Sequence, residues 1–161
     1  MWRFSAGLSL LVPVFLLGFV ATASAQTAEN DPAATPRERT ALAASFATER
    51  LAVWQQRLNL QDWHVSIVVA RTAELKPKTL GNIHWDLPKK TAIIRVLDPA
   101  DYHLPFPQAL EDIEFTVVHE LIHLGFAPVV NDLQRSDANR REEEHAVNHL
   151  AEALLKLDRA K

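Results

Sequence analysis

The segment Val117-Val118-His119-Glu120-Leu121-Ile122-His123-Leu124 sets two histidines four residues apart, with a glutamate directly after the first. On an α-helix, residues four apart stack one turn above another. His119 and His123 can therefore aim both imidazoles at one point, a spacing suited to two ligands of a single Zn²⁺. Glu120 falls on the flank of the same face. From there its carboxylate can reach a water on the metal without replacing it. Zinc lowers the pKa of such a water toward neutrality, and the carboxylate can take its proton as the water attacks a carbonyl. From Phe115 to Phe126 the segment is apolar on nearly every face except at Thr116, His119, Glu120 and His123. Polar groups in a buried helix are costly unless something satisfies them.

Two histidines are an incomplete ligand set, because catalytic zinc takes three protein ligands and keeps a fourth position open. A third histidine six residues after the second is ruled out, since Val129 stands there and Phe126 replaces the glycine of that extended pattern. The run Arg140-Arg141-Glu142-Glu143-Glu144-His145, about twenty residues downstream, offers a glutamate instead. Positions three, four, seven, eight and eleven after Glu143 are Ala146, Val147, Leu150, Ala151 and Leu154, all apolar. The same steps from Glu144 give Val147, Asn148, Ala151, Glu152 and Leu155, and those from Glu142 begin at His145, both mixed faces. Glu143 is therefore the expected third ligand. Glu144 is the alternative, with Asn148 one turn on as a partner for a ligand.

The elements that must hold these residues are legible in outline. Thr35-Pro36 starts a helix over Arg37–Leu58, with Leu42, Phe46, Leu51, Trp54 and Leu58 at helical spacing. Strands are expected at Trp63–Val69, Asn82–Asp86 and Thr91–Leu97, the last two pairing antiparallel across a turn at Leu87–Lys90. The proline-bearing stretch from Asp98 to Pro107 is loop. The His-Glu helix should start near Pro107, run to Leu124 and stop at Gly125, with Pro128 just beyond. Glu111, Asp112 and Glu114 suit its positive end. A loop over Phe126–Asn139 then leads to a last helix, Arg140–Leu157, with one apolar stripe. The fold class expected is α+β, a small, mostly antiparallel sheet packed on the His-Glu helix.

Residues 1–25 read as a secretory signal peptide: Arg3, an apolar run from Ala6 to Val20, and small residues at Ala23 and Ala25 before Gln26. The run is shorter than the roughly 20 residues of a membrane span. A flexible leader, 26–36, and one domain, 37–161, follow, and no stable membrane insertion is expected once the signal is removed. Removing Arg3 from the 17 basic residues leaves sixteen against 20 acidic ones, a formal charge of −4. That balance, with no basic run, argues against nucleic acid as a partner. There are no cysteines, so neither disulfides nor thiolate chemistry are available.

The order helix, short strands, H-E-x-x-H helix, Glu-bearing helix is similar to the gluzincin branch of zincin metallopeptidases, especially minimal single-domain members and small bacterial and phage H-E-x-x-H proteins. Leu58–Val65, Val117–Leu124 and Glu143–Ala151 carry the resemblance. It implies a zincin-like fold, with zinc on His119, His123 and one helix-borne glutamate, and Glu120 as base. It also implies an edge strand that aligns an extended peptide, with Thr91–Leu97 as the candidate. The tyrosine and histidine that steady an oxyanion in larger members have no clear counterpart; Tyr102 and His103 are the candidates. The expected protein is a secreted or periplasmic zinc peptidase acting on peptide or protein substrates. The rivals are a non-catalytic zinc-binding module of the cell envelope and a cell-wall peptide amidase. Another divalent transition metal also suits a His₂Glu set.

Overall fold

The computed structural model describes residues 34–130, 133 and 136–160. The expected signal peptide and the leader up to residue 33 lie outside the described residues, as does residue 161. The remainder is an α+β arrangement of three long helices and one three-stranded sheet.

Helix α1, Pro36–Arg57, starts where Thr35 predicts. The Glu38 N–H donates to Thr35 Oγ1, and the Thr35 N–H donates to the Glu38 carboxylate at 2.7 Å. This reciprocal cap satisfies two otherwise orphaned donors. At the other end Asn59 takes a left-handed conformation, φ 57°, which asparagine tolerates better than most residues. The buried face of α1 is Ala43, Ala47, Leu51 and Trp54, whereas Leu42 is exposed. Small alanines permit the close approach of α2 that an apolar stripe through Leu42 would block.

The strands are β1, His64–Ala70, β2, Gly81–Asp86, and β3, Thr91–Leu97. The expected strands are all present, but the sheet is mixed rather than mostly antiparallel. Its order is β1-β3-β2, with β1 parallel and β2 antiparallel to β3. The connection from β1 to β2 is long enough to carry the chain past β3's position, so β3 closes the gap in the middle. Thr91–Leu97 is thus central, and β1 and β2 are the two edges. Ala92, Ile94 and Val96 point into the core, and Val65, Ile67 and Val69 pack beside them.

Helix α2, Phe106–Val130, overruns its expected stop. Gly125 is not a cap: its φ is not positive and a Cβ placed on it would meet nothing within 4 Å. Ala127, fully buried, anchors the extra turn and carries the helix through Pro128. By length and apolarity α2 could cross a membrane, but most of it is buried among the other elements of this fold. Glu114 does not serve the helix terminus. It is buried and accepts hydrogen bonds from Arg50 Nε at 2.5 Å and Trp54 Nε1 at 3.0 Å. Arg50 also reaches Asp158 on α3, Asp137–Arg159, at 3.2 Å. This junction ties the three helices together and fixes the rotation of α2. Glu114 and His119 lie about 140° apart around the helix, so anchoring the first turns the second away from α1.

One consequence is directly measurable. Gly125→Ala adds a methyl group into open space at an exposed helical position, and alanine is the better helix former by about 1 kcal/mol. Thermal denaturation should show a melting temperature raised by a few degrees; a lowered one would mean that α2 ends before this residue.

Candidate metal centre

His119, Glu120 and His123 follow one another around the face of α2 that looks toward β2 and α3. Glu120 and His123 are buried, and His119 is partly so. The helix approaches β2 closely at Gly81, where a Cβ would fall on Thr116 Cγ2 and on the carbonyl oxygen of Arg95. A glycine there is what lets the first residue of this edge strand sit against the turn preceding the histidines.

The two imidazoles face each other through their Nε2 atoms, 3.1 Å apart, with ring centroids 4.7 Å apart and planes at 67°. Each Nδ1 meets an oxygen acceptor: Asn148 Oδ1 lies 3.0 Å from His119 Nδ1, and Glu143 Oε1 lies 3.1 Å from His123 Nδ1. An acceptor at Nδ1 places the ring proton there. Both neutral rings then turn a bare Nε2 lone pair toward the same point. Two such lone pairs at 3.1 Å repel unless a proton or a cation sits between them.

The third group at that point is Glu144. Its Oε2 is 3.4 Å from His119 Nε2 and its Oε1 is 3.4 Å from His123 Nε2. One ligand atom from each of these three residues lies within 4.8 Å of the others. A tetrahedral zinc with bonds near 2.0–2.2 Å has ligand–ligand edges of about 3.3–3.6 Å. The donor set and its spacing therefore fit such an ion. Glu143, the expected ligand, is placed differently: its carboxylate meets the far nitrogen of His123, where it orients the ring.

The physical reason lies in which face α3 buries. Val147, Ala151 and Leu155 are the buried side chains of α3, while Leu150 and Leu157 are exposed. These buried residues lie three, seven and eleven positions beyond Glu144, and Asn148 beside them holds His119, while Glu143 is the more buried of the two carboxylates, at 14% side-chain exposure against 57%. Both glutamates therefore reach the rings, Glu144 at the two facing nitrogens and Glu143 at the far nitrogen of His123.

Glu120 is outside the three-atom cluster but lines the same cleft, a cavity of about 590 Å³ that also includes Asn82, Trp85 and Phe115. No hydrogen bond from the described residues reaches its carboxylate. Burial, reinforced by the charge of Glu144 and opposed by Lys76, pushes its pKa up to about 8. Burial, and then the neighbouring His123, pull His119 below the usual imidazole range, against Glu144 and Asn148. That favours the neutral ring a metal requires.

The other singled-out residues lie elsewhere. Tyr102 packs between the two apolar clusters, its hydroxyl buried without a hydrogen-bond partner, and His103 is exposed; neither lines the cleft. The expectation that one of them faces an oxyanion is not met. His145 and His149 stack on the outer face of α3 at 4.1 Å between centroids, and His64 and His84 are exposed strand residues. Sequence reasoning missed the contribution of β2, whose signal was the lone glycine before Asn82-Ile83-His84-Trp85.

Glu120 makes the metal-free protein pH-sensitive. Its folded pKa of about 8 exceeds the 4.5 of a free side chain, so the folded state holds a proton that the unfolded chain releases. The contribution is fully present below pH 4.5 and is lost as pH rises toward 8. In chelator-treated protein, Glu120→Gln should become progressively more stable than the parent across that window, reaching on the order of a few kcal/mol. Denaturant titrations at pH 5 and pH 8 give the comparison, and an unchanged difference would show that burial does not control this carboxyl.

The chain matches no protein-family model, and neither a curated protein nor a solved structure is significantly similar to it.

Proposed function

We propose that this chain is an exported zinc-dependent hydrolase with a zincin-like domain of the gluzincin kind, and that it cleaves peptide amide bonds. The observation that carries the reading is the pair of Nε2 lone pairs held 3.1 Å apart, with Glu144 3.4 Å from each. Structural zinc sites fill all four positions with protein ligands, whereas three ligands beside a cleft are the catalytic pattern. Zinc bound there would act as a Lewis acid toward water and a carbonyl oxygen, and its charge would restore the Glu120 carboxylate.

The chain's own residues divide the remaining work. His119, His123 and Glu144 hold the ion, and Asn148 and Glu143 fix the tautomer and tilt of the two rings. Glu120 accepts a proton from the attacking water and returns it to the leaving nitrogen. The outer edge of β2 is paired with no described strand, and its residues Asn82 and Trp85 line the cleft. An extended peptide can pair with such an edge and lay an amide across the histidines.

The absence of Tyr102 and His103 from the cleft favours a second reading, a metal-binding module of the cell envelope without turnover. A cell-wall peptide amidase shares the chemistry of the first reading and differs only in substrate.

Metal titration against a chromophoric chelator separates the two glutamates. Zinc should bind at one equivalent. His119→Ala or Glu144→Ala should abolish or severely weaken it, and Asn148→Ala or Glu143→Ala should cost about 10- to 100-fold. Equal losses for Glu143 and Glu144 would put both on the ion.

Turnover separates enzyme from module. With peptide libraries and cell-wall fragments as substrates, Glu120→Gln should keep its zinc and lose about 10²- to 10⁴-fold in rate. Hydrolysis by the variant at the parent's rate would remove Glu120 as the base, and no hydrolysis by either protein would favour the module.

A further inference from the structure

The cleft contains cations for which the proposed hydrolysis has no use. Lys76 and Lys78, from the connection between β1 and β2, line it together with Arg140 of α3. All three are exposed, and none forms an ion pair or hydrogen bond through its side chain with the described residues. Arg50, Arg57, Arg71, Lys89 and Lys90 each pair with a carboxylate, whereas these three, like several cations on the outer surface, are left to solvent. Three cations and three carboxylates line the cleft, and the cations come from its lysine turn and from the start of α3. Glu143 and Glu144 are engaged at the imidazoles and none of the three carboxylates pairs with Lys76, Lys78 or Arg140.

Backbone conformation places two of these cations together. Lys76 to Thr79 form a tight turn, in which the Thr79 N–H donates to the Lys76 carbonyl at 3.2 Å and Thr79 Oγ1 does so at 2.8 Å. Pro77 takes the second position, and Lys78 takes the third with φ 65°. That position of such a turn favours glycine, because a Cβ there is strained by about 1–2 kcal/mol. The turn fixes the Lys78 backbone at the cleft, in the left-handed region that Lys90 also occupies outside it. Lys76 is also within electrostatic reach of the floor, since it opposes the upward pull of burial on Glu120.

We propose that the cleft recognises a carboxylate of the bound peptide, held by Lys76 and Lys78 with Arg140 contributing from α3. This deepens the peptidase reading by naming the substrate class: peptides carrying an acidic side chain or a free C-terminal carboxylate beside the bond to be cut. Rim cations steer an anion toward the cleft and hold it once bound.

Binding rather than turnover gives the test. The probes are blocked alanine heptapeptides with a central Glu, Gln or Lys, and an all-alanine heptapeptide with either a free or an amidated C-terminus. Each is titrated by calorimetry into the Glu120→Gln protein, metal-free and zinc-loaded. The Glu peptide should bind about five- to tenfold more tightly than the Gln peptide if two exposed ion pairs form, with the Lys peptide weakest and the ratio shrinking as salt rises. A preference for the free over the amidated terminus assigns the cations to a chain end, and a preference for central Glu assigns them to a side chain; either supports the proposal. Lys76→Gln combined with Lys78→Gly should erase the preference. Glycine suits φ 65° better than lysine does, so Lys78→Gly should melt no lower than the parent, and a lost preference is then not lost folding. Three outcomes overturn the proposal: equal affinity across both pairs of probes, no binding of any probe, or a preference that survives both substitutions. A protein that prefers acidic peptides yet binds no zinc fails the hydrolase reading alone, and one that binds zinc without that preference fails this inference alone.

Discussion

Two imidazole nitrogens, each deprived of its proton by an oxygen on the far side of its ring, face one another across 3.1 Å. That opposition organises the rest of the molecule. It needs α2 to be rotated correctly, which Glu114 secures by accepting from Arg50 and Trp54. It needs α3 to bring Asn148, Glu143 and Glu144 to three different positions around the rings. It needs β2 to close the third side, which Gly81 allows by omitting a side chain. Each element is positioned by apolar packing, but what it positions is a polar contact within a few ångströms of the same point.

Burial produces the chemistry as much as the contacts do. Glu120 is 7% exposed, and in that environment its charged form is disfavoured, so the carboxyl stays protonated at neutral pH in the absence of a cation. The cost of that arrangement falls on the fold. Such a group weakens the domain as pH rises, while a hydrophobic residue in its place would strengthen it. Polar groups kept at that expense mark the part of a helix that packing alone does not explain.

How much of this could be read from the residues differs by kind. The His-Glu-His triplet was legible because helical geometry makes a spacing of four a shared face, whatever the surroundings. The strands were legible from their β-branched runs and the α1 cap from Thr35-Pro36. Sheet order was not, because strand spacing along a chain says nothing about which strand lies in the middle. The stop of α2 was misplaced at Gly125, since a glycine ends a helix only where a left-handed turn follows, and here the burial of Ala127 holds the helix on. The different contacts of Glu143 and Glu144 were not legible for a related reason. The apolar stripe was taken as the guide, yet the face that turns inward contains Asn148, whose value depends on a ring 29 positions earlier. A partner that distant along the chain leaves no local trace.

Helix α3 carries its anchor and its polar contacts on one surface. Val147, Ala151 and Leu155 seat it against the core, and Glu144 and Asn148 lie along the same line. Sliding a helix by one residue swings every side chain through about 100°, so the anchor cannot shift while the contacts stay. Leu155 stands eleven positions beyond Glu144, roughly 16 Å along the axis, and takes no part in the histidine geometry. Erosion of that distant foothold would nonetheless be felt first by the two rings, whose alignment tolerates less error than oily packing does.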